Sequence, residues 1–348
     1  MTTQRIVSPL SDPAWADLMM GPRGSGFGAQ PWLRAIFDTY GFDLSARIVL
    51  DDAGHAVAGF THADIDDFRG RRLVSVPFCD YLDPVVETDE QWCALVDPLL
   101  ELGLPLQVKV LHCDVARNDS RFAHVNELAW HGTDLEKDEE AMFAALDRRA
   151  RQNIRSAQRN GVTARFGSDI EDVRAYHQLH VLTRKRKHGL LAQPVSFFEN
   201  IWKQFSPTDS VIVGFAEHEG DVIAASFYLV WNNVWYYKFS ASIFDRSVVR
   251  PNELLAWESM RVARDRGCRT YDWGVSDLDQ PGLVSYKRKL MTEERRVTVL
   301  RYTPEGYTNP LADETGPVLG DLTALLTRED VPDEVTQRGG EILYRYFT

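Results

Sequence analysis

Residues 247–289 read SVVRPNELLAWESMRVARDRGCRTYDWGVSDLDQPGLVSYKRK, and their order decides the fold. Pro251 suits the first turn of a helix, where its missing N–H costs nothing. Leu255, Ala256, Ser259, Met260, Val262 and Ala263 then recur on one face at a spacing of three to four. Gly267 ends the helix. Arg269–Trp273 is expected as a strand, with Gly274 directly after it. A polar loop carrying Tyr286, Lys287, Arg288 and Lys289 is expected next. A strand that ends in a loop rich in Asp, Gly and Lys is where ligands gather in open α/β sheets.

Working outward, three apolar runs precede this stretch: Val211–Glu217, Val222–Trp231 and Val234–Ser240. Glu219-Gly220 and Asn232-Asn233 separate them as hairpin turns, which predicts an antiparallel meander. Arg295–Tyr302 adds a last strand. Upstream, one helix is expected from about Lys137 to Asn160, with Phe143, Leu146, Ala150, Ile154 and Ala157 as its apolar stripe. Helices are also expected from Ile170 to about Lys187 and from Pro194 onward. Residues 1–135 mix elements in the same way. Two short helices flank the glycine-rich loop GPRGSGFGAQ, strands are expected at Arg47–Leu50, His55–Thr61 and Arg72–Val76, a helix near Asp89–Leu102, and extended chain at Leu106–Leu111 and Phe122–Leu135. The tail holds helical stretches at Leu319–Leu326 and Glu334–Phe347. The pattern is α/β (α+β), with mixed, largely antiparallel sheets flanked by helices.

The 348 residues suggest two domains. Charged residues make up 26% and apolar ones 44%, ordinary values for a water-exposed globular chain. Cys79, Cys93, Cys113 and Cys268 show no CxxC pair and no metal spacing with histidine, so no metal site is expected and the thiols are read as reduced. The amino terminus lacks the apolar core of a signal peptide, and no apolar run reaches the ~20 residues of a membrane helix. A cytoplasmic location is the expectation. Net charge is −12, but residues 147–187 hold 11 Lys/Arg against 4 Asp/Glu. That balance argues against general nucleic-acid coating and permits one local anionic contact. Within the segment, Arg148, Arg151, Arg155 and Arg159 recur on a face well away from the apolar stripe.

Residues 145–290 resemble the FemAB-type peptidyltransferases and the acetyltransferase-like domains of the wider GNAT superfamily. The resemblance rests on RQNIRSAQRNGV (151–162), on Thr183 and Arg186 before Gly189, on GDVIAASFYL (220–229) and on YYKFSAS (236–242). It continues through RPNELLAWESM (250–260), GCRTYDWG (267–274) and GLVSYKRKL (282–290). PWLRAIFDTYG and PFCDYLDP near the start and GGEILYRYF at the end are similar to stretches in these proteins. The resemblance implies two GNAT-like domains: residues 1–140 with 318–348 as the first, the last helix returning to it, and residues 141–317 as the second.

The family moves an aminoacyl group from a charged tRNA onto an amine of a peptidoglycan precursor. Its aromatic-Lys pair beside the donor site corresponds to Tyr286-Lys287 here. The glycine-rich pyrophosphate loop of the acyl-CoA enzymes is missing: Arg246–Asn252 contains no glycine, and Pro251 removes an amide donor. Aminoacyl-tRNA is therefore the expected donor ahead of acyl-CoA, with no resident cofactor. The arginine face is the expected tRNA contact beside its plainer reading as a solvated face.

Lys287 is the leading catalytic candidate, as a charge partner of the donor. Asp272 is a candidate acceptor for the amine proton, although Asp before Gly is also common turn chemistry. Asp80 and Tyr81 are expected to line the acceptor groove. Arg186, Tyr237, Arg250, Asn252 and Tyr286 are expected near the substrates, Arg250 and Asn252 because a helix start favours anions. Three readings stand at this point: a FemAB-like aminoacyltransferase, an acyl-CoA-dependent N-acetyltransferase acting on a small amine or amino sugar, and a non-catalytic twin-domain binding protein.

Overall fold

A computed structural model describes residues 3–309 and 311–348. The chain divides into two units. The first holds Met1–Trp130, Arg295–Val318 and Thr348. Its elements are β1 (Thr3–Val7), α1 (Pro13–Met20), α2 (Gln30–Tyr40), β2 (Asp43–Leu50), β3 (Ala56–Ile65), β4 (Arg72–Val74), α3 (Asp89–Leu100), β5 (Leu106–Val110) and α4 (Asp114–Arg117). Asp12 caps α1 by accepting the Ala14 N–H at 2.9 Å, with Pro13 opening the helix, and Thr88 caps α3 through Gln91 N–H. β1, β2, β3 and β4 pair antiparallel, and β4 pairs parallel with β5. Phe60, Trp92, Leu95, Leu106, Val108 and Leu300 fill the core between sheet and α3.

The second unit holds His131–Glu294 and Leu319–Phe347. It is entered along β6 (Ala123–Asp134) and continues through α5 (Glu139–Ala145), α6 (Arg148–Arg159), β7 (Thr163–Gly167), α7 (Ile170–His188) and α8 (Val195–Phe205). β8 (Val211–His218), β9 (Asp221–Trp231), β10 (Val234–Ser242), α9 (Pro251–Asp265), β11 (Thr270–Asp277) and α10 (Pro281–Arg288) follow. β12 (Glu293–Tyr302) returns to the first unit and pairs with β5, and α11 (Ala312–Leu326) and α12 (Asp333–Leu343) close the chain. The sheet order in this unit is β6-β11-β10-β9-β8-β7. The expected meander is β8–β9–β10. Asn232 and Asn233 both take left-handed φ, 47° and 59°, as a tight hairpin requires. Residues alternate between two covered faces. Tyr228, Trp235 and Tyr271 pack with α6 and α9, while Phe227 and Phe239 pack with Tyr176, Phe197 and Phe198 of α7 and α8.

Four expectations need correction. The single helix over 137–160 is two helices. Leu146 is extended (ψ 149°), and Asp147 begins a new helix by accepting the Arg149 N–H at 2.7 Å. Lys287 lies on α10, not in a loop, because Pro281 starts a helix there. The segment 295–318 belongs to the first unit rather than the second.

The tail helix was expected on the first domain and packs on the second unit. Lys185, 5% exposed, donates to Val331 O and pairs with Asp333 Oδ1 at 2.8 Å. Gly340 meets Ala192 so closely that an added Cβ would lie 2.2 Å from the Ala192 carbonyl oxygen. Only a residue without a side chain fits there. Among the described residues, no helix is long and apolar enough to cross a membrane.

Candidate active site

The second unit contains an opening in its own sheet. β10 and β11 run parallel, and their register covers three pairs: Val234 with Thr270, Trp235 with Tyr271 and Tyr236 with Asp272. β10 then runs on to Ser242 and β11 to Asp277. Both strands are irregular where they part. β10 shifts register against β9 between Tyr237 and Phe239. In β11, Asp272 Oδ1 accepts the Gly274 N–H at 2.7 Å, and Gly274 has φ +66°. A carboxylate bonded two residues ahead bends the strand, and glycine tolerates the left-handed angle this imposes. Splayed parallel strands present ladder groups and side chains to a ligand instead of to each other.

Aromatic rings gather around the point where the strands part. Tyr237 lies 5.5 Å from Trp273 and 5.8 Å from Tyr228, centroid to centroid. Tyr271 and Trp273 stand 4.2 Å apart. Ser259 Oγ of α9 is 2.7 Å from Tyr271 Oη, and Trp273 Nε1 donates to Thr133 Oγ1 at 2.9 Å. Burial pushes the phenols of Tyr237, Tyr271 and Tyr286 up, so each keeps its proton at neutral pH and can donate. Ser276, 2% exposed, has a side-chain oxygen with no hydrogen-bond partner among the described residues. A buried hydroxyl left unbonded beyond the point of parting marks a place for a ligand group.

Two helices close the opening. On α10, Lys287 is 5% exposed and its Nζ donates to Val275 O of β11 at 2.8 Å. Tyr286 Oη donates to Asn252 O at the start of α9, at 3.3 Å. Lys287, Tyr286, Asn252, Tyr237 and Asp272 therefore belong to one neighbourhood built on β10, β11, α9 and α10. Arg250 stands exposed at the α9 start, with φ +61°. The turn before it is a 3₁₀ helix, Phe244–Val249, in which Arg246 N–H bonds Ile243 O and Arg250 N–H bonds Ser247 O. Two amides that a phosphate cradle would aim at a ligand are thus spent within the turn.

Other expected residues lie elsewhere. Arg186 ends α7 and pairs with Asp333 of the tail at 3.3 Å, so the tail, not the opening, holds it. Asp80 and Tyr81 belong to the first unit. Tyr81 is buried, its ring 5.6 Å from Phe27 and 6.1 Å from His112, and Asp80 is half-buried. Asp83 in the same loop accepts N–H groups of Leu111, His112 and Cys113 at 2.8, 2.9 and 3.0 Å, which anchors the loop. Arg148, Arg151, Arg155 and Arg159 line one side of α6, while Ala150, Ile154 and Ala157 are buried on the other.

Sequence reading missed Tyr228, Tyr271, Trp273, Ser259, Thr133 and Ser276. The signal available was a tyrosine or tryptophan in each of three successive strands. It could not be told from an ordinary aromatic core until the strands were seen to part.

Residues 145–288 match the family model described as acetyltransferase (GNAT) domain, so this segment is an acyltransferase domain of the GNAT type. No curated protein matches the chain by sequence. Among solved structures, it is similar to FemX at 14% identity and TM-score 0.68, covering 91% of this chain and 99% of that one. A tandem GNAT protein from the clavulanic acid biosynthesis pathway gives 11% identity and TM-score 0.55, covering 88% and 100%. The C-terminal domain of a putative lysylphosphatidylglycerol synthetase from Agrobacterium fabrum gives 13% and 0.55, covering 90% and 96%. At these identities the likeness is one of fold.

Proposed function

We propose that the second unit transfers an aminoacyl group from a charged tRNA to an amine of a cell-wall precursor or related small molecule. The observation that carries this reading is the turn before α9. Its 3₁₀ bonds consume two amides, Arg250 is left-handed and Pro251 has no N–H, which disfavours the pyrophosphate of coenzyme A. An ester on RNA needs no such cradle. The amine nitrogen attacks the ester carbonyl, a C–N bond forms, the C–O bond to the ribose breaks, and the amine proton leaves with the alkoxide or a base.

In this reading Lys287 stabilises charge on the donor side. Asp272 holds the bend in β11 and is the candidate acceptor for the amine proton. Tyr237 and Tyr286 orient the acyl group. Arg250 and Asn252 meet donor phosphate at the helix start. The chain then works in the cytoplasm, where charged tRNA is found.

A second reading, an acyl-CoA-dependent N-acetyltransferase, has the description of the matching family on its side. A thermal-shift titration of the full chain with charged tRNA, acetyl-CoA and a nucleotide-linked muropeptide separates the two, because a ligand of the native state raises stability by mass action. The tRNA reading expects shifts with charged tRNA and the muropeptide. Micromolar acetyl-CoA affinity by calorimetry overturns it in favour of the second.

A further inference from the structure

α6 carries Arg148, Arg149, Arg151, Arg155 and Arg159, and among the described residues none of the five is in an ion pair. Other arginines of the same unit are paired: Arg165 with Asp172 and Glu217, Arg174 with Glu171 and Glu199, Arg288 with Glu294. Of the nearby acids, Glu140 lines the groove itself and three others are occupied. Asp147 caps α6, Glu139 pairs with Arg261 at 2.9 Å, and Glu253 accepts from Asn153 at 2.8 Å. Like charges at helical spacing repel, so the free protein sustains a cost that an anion would relieve.

The arginines also line a concave surface. A groove of about 770 Å³ is bounded by Phe143 and Ala144 of α5 and by Arg148, Arg151, Arg155 and Arg159. An adjoining hollow shares Phe143 and Arg155 and reaches Trp257. Phe143 is half-buried, stacked edge-on to Trp257 at 4.9 Å, with the Arg155 guanidinium 5.3 Å from its centroid. A basic track with an aromatic platform is the chemistry of single-stranded nucleic acid binding. Successive arginines advance about 4.5–6 Å along the axis, a repeat that a phosphodiester chain can follow. A membrane surface would call for a convex face, and here the basic groups border a trough floored by a ring.

The helix that carries the groove adjoins the elements of the candidate site. Asp147 N–H bonds Lys289 O just beyond α10, and the Asn153–Glu253 bond ties α6 to the start of α9.

We propose that the α5–α6 groove binds the unpaired 3′-terminal nucleotides of the RNA donor, with phosphates on Arg148, Arg151, Arg155 and Arg159 and one base stacked on Phe143. This rests on the RNA-donor reading and adds the place where the strand lies.

The test is fluorescence anisotropy of the full chain with a labelled single-stranded RNA oligonucleotide across a salt series. Four phosphate contacts predict a slope of log K against log salt near about −2.8, and Arg151→Ala/Arg155→Ala should halve it. Phe143→Ala should weaken binding about tenfold or more at unchanged slope. Arg174→Ala, an exposed and paired arginine, serves as control, and circular dichroism checks that each variant is folded. Wild-type RNA affinity in the folded double variant overturns the groove. If charged tRNA is still a donor for that variant at the wild-type rate, the groove proposal fails and the donor reading survives. If wild-type protein uses acetyl-CoA and ignores charged tRNA, the donor reading fails first. Arginine-dependent sedimentation with phosphatidylglycerol vesicles, without RNA binding, makes the face a membrane surface and overturns the proposal.

Discussion

Lys287 gives the sharpest test of the site, because its position separates a catalytic charge from a structural clamp. The side chain is 5% exposed and its Nζ donates to Val275 O at 2.8 Å, so it holds α10 onto β11. A hydrogen bond to a charged group contributes about 1.5–3 kcal/mol. Lys287→Ala therefore loses that bond and the packed stem together, and costs more than the small change a loop position would suggest. Lys287→Met is the cleaner perturbation, since it keeps most of the stem and removes only the charge and donor. It should lower unfolding free energy by about 1–3 kcal/mol and leave the protein folded. Removing a preorganised charge partner of the reacting ester should also slow transfer about a hundredfold or more, which corresponds to about 2.7 kcal/mol of barrier. Lys287→Arg should restore stability better than rate, because a planar fork does not reproduce a compact ammonium. The assays are urea unfolding and single-turnover acyl transfer at saturating donor, below the melting temperature of every variant. Arg288→Ala serves as control, since Arg288 is exposed and paired with Glu294. A folded Lys287→Met protein that transfers within twofold of wild type would refute the catalytic role and leave the clamp.

Asp272 is tested by a pair of substitutions. Asp272→Asn keeps an oxygen for the Gly274 N–H and Asp272→Ala does not, so equal rate losses in both point to proton transfer, whereas activity retained in Asn alone points to the bend. The third prediction concerns acid. His180 sits 4% exposed between Gln193 Oε1 at 2.8 Å and Tyr176 Oη at 3.2 Å, and burial pushes its imidazole down to about 3. The unfolded chain takes up this proton near about pH 6.5 while the folded one refuses it until about 3. Stability therefore rises with pH across that window and is complete above it. Lowering the pH from 7 to 5 should remove about 2 kcal/mol from this group alone. His180→Gln should flatten the slope in urea titrations, and an unchanged slope would remove His180 as its source.

Much of the second unit was legible because its signals are local. The meander follows from three apolar runs and two turn pairs, and the start of α9 follows from Pro251. What failed depended on partners distant in the chain. One helical stripe spans 143–157, yet the chain breaks at Leu146 because Asp147 is a better cap than a helix interior residue. The tail helix has an amphipathic pattern that names no partner. Its place is set by Lys185 meeting Asp333 and by Gly340 fitting against Ala192, contacts far apart in sequence. Lys287 looked like a loop residue because its neighbours are charged, whereas only the side of α10 that meets β11 decides which lysine is buried.

The two readings of Asp272, turn residue and site residue, do not exclude each other. Its Oδ1 bond to Gly274 N–H belongs to the bend with which β11 leaves β10, and Tyr237, Tyr271 and Trp273 gather at that parting. Ordinary turn chemistry inside a strand therefore shapes the candidate site rather than merely ending an element. A sequence reading that weighs a turn role against a functional one assumes that turns lie outside sites. In a sheet whose ligand space is made by two strands coming apart, the residue that bends a strand is part of the site whether or not it ever touches a proton.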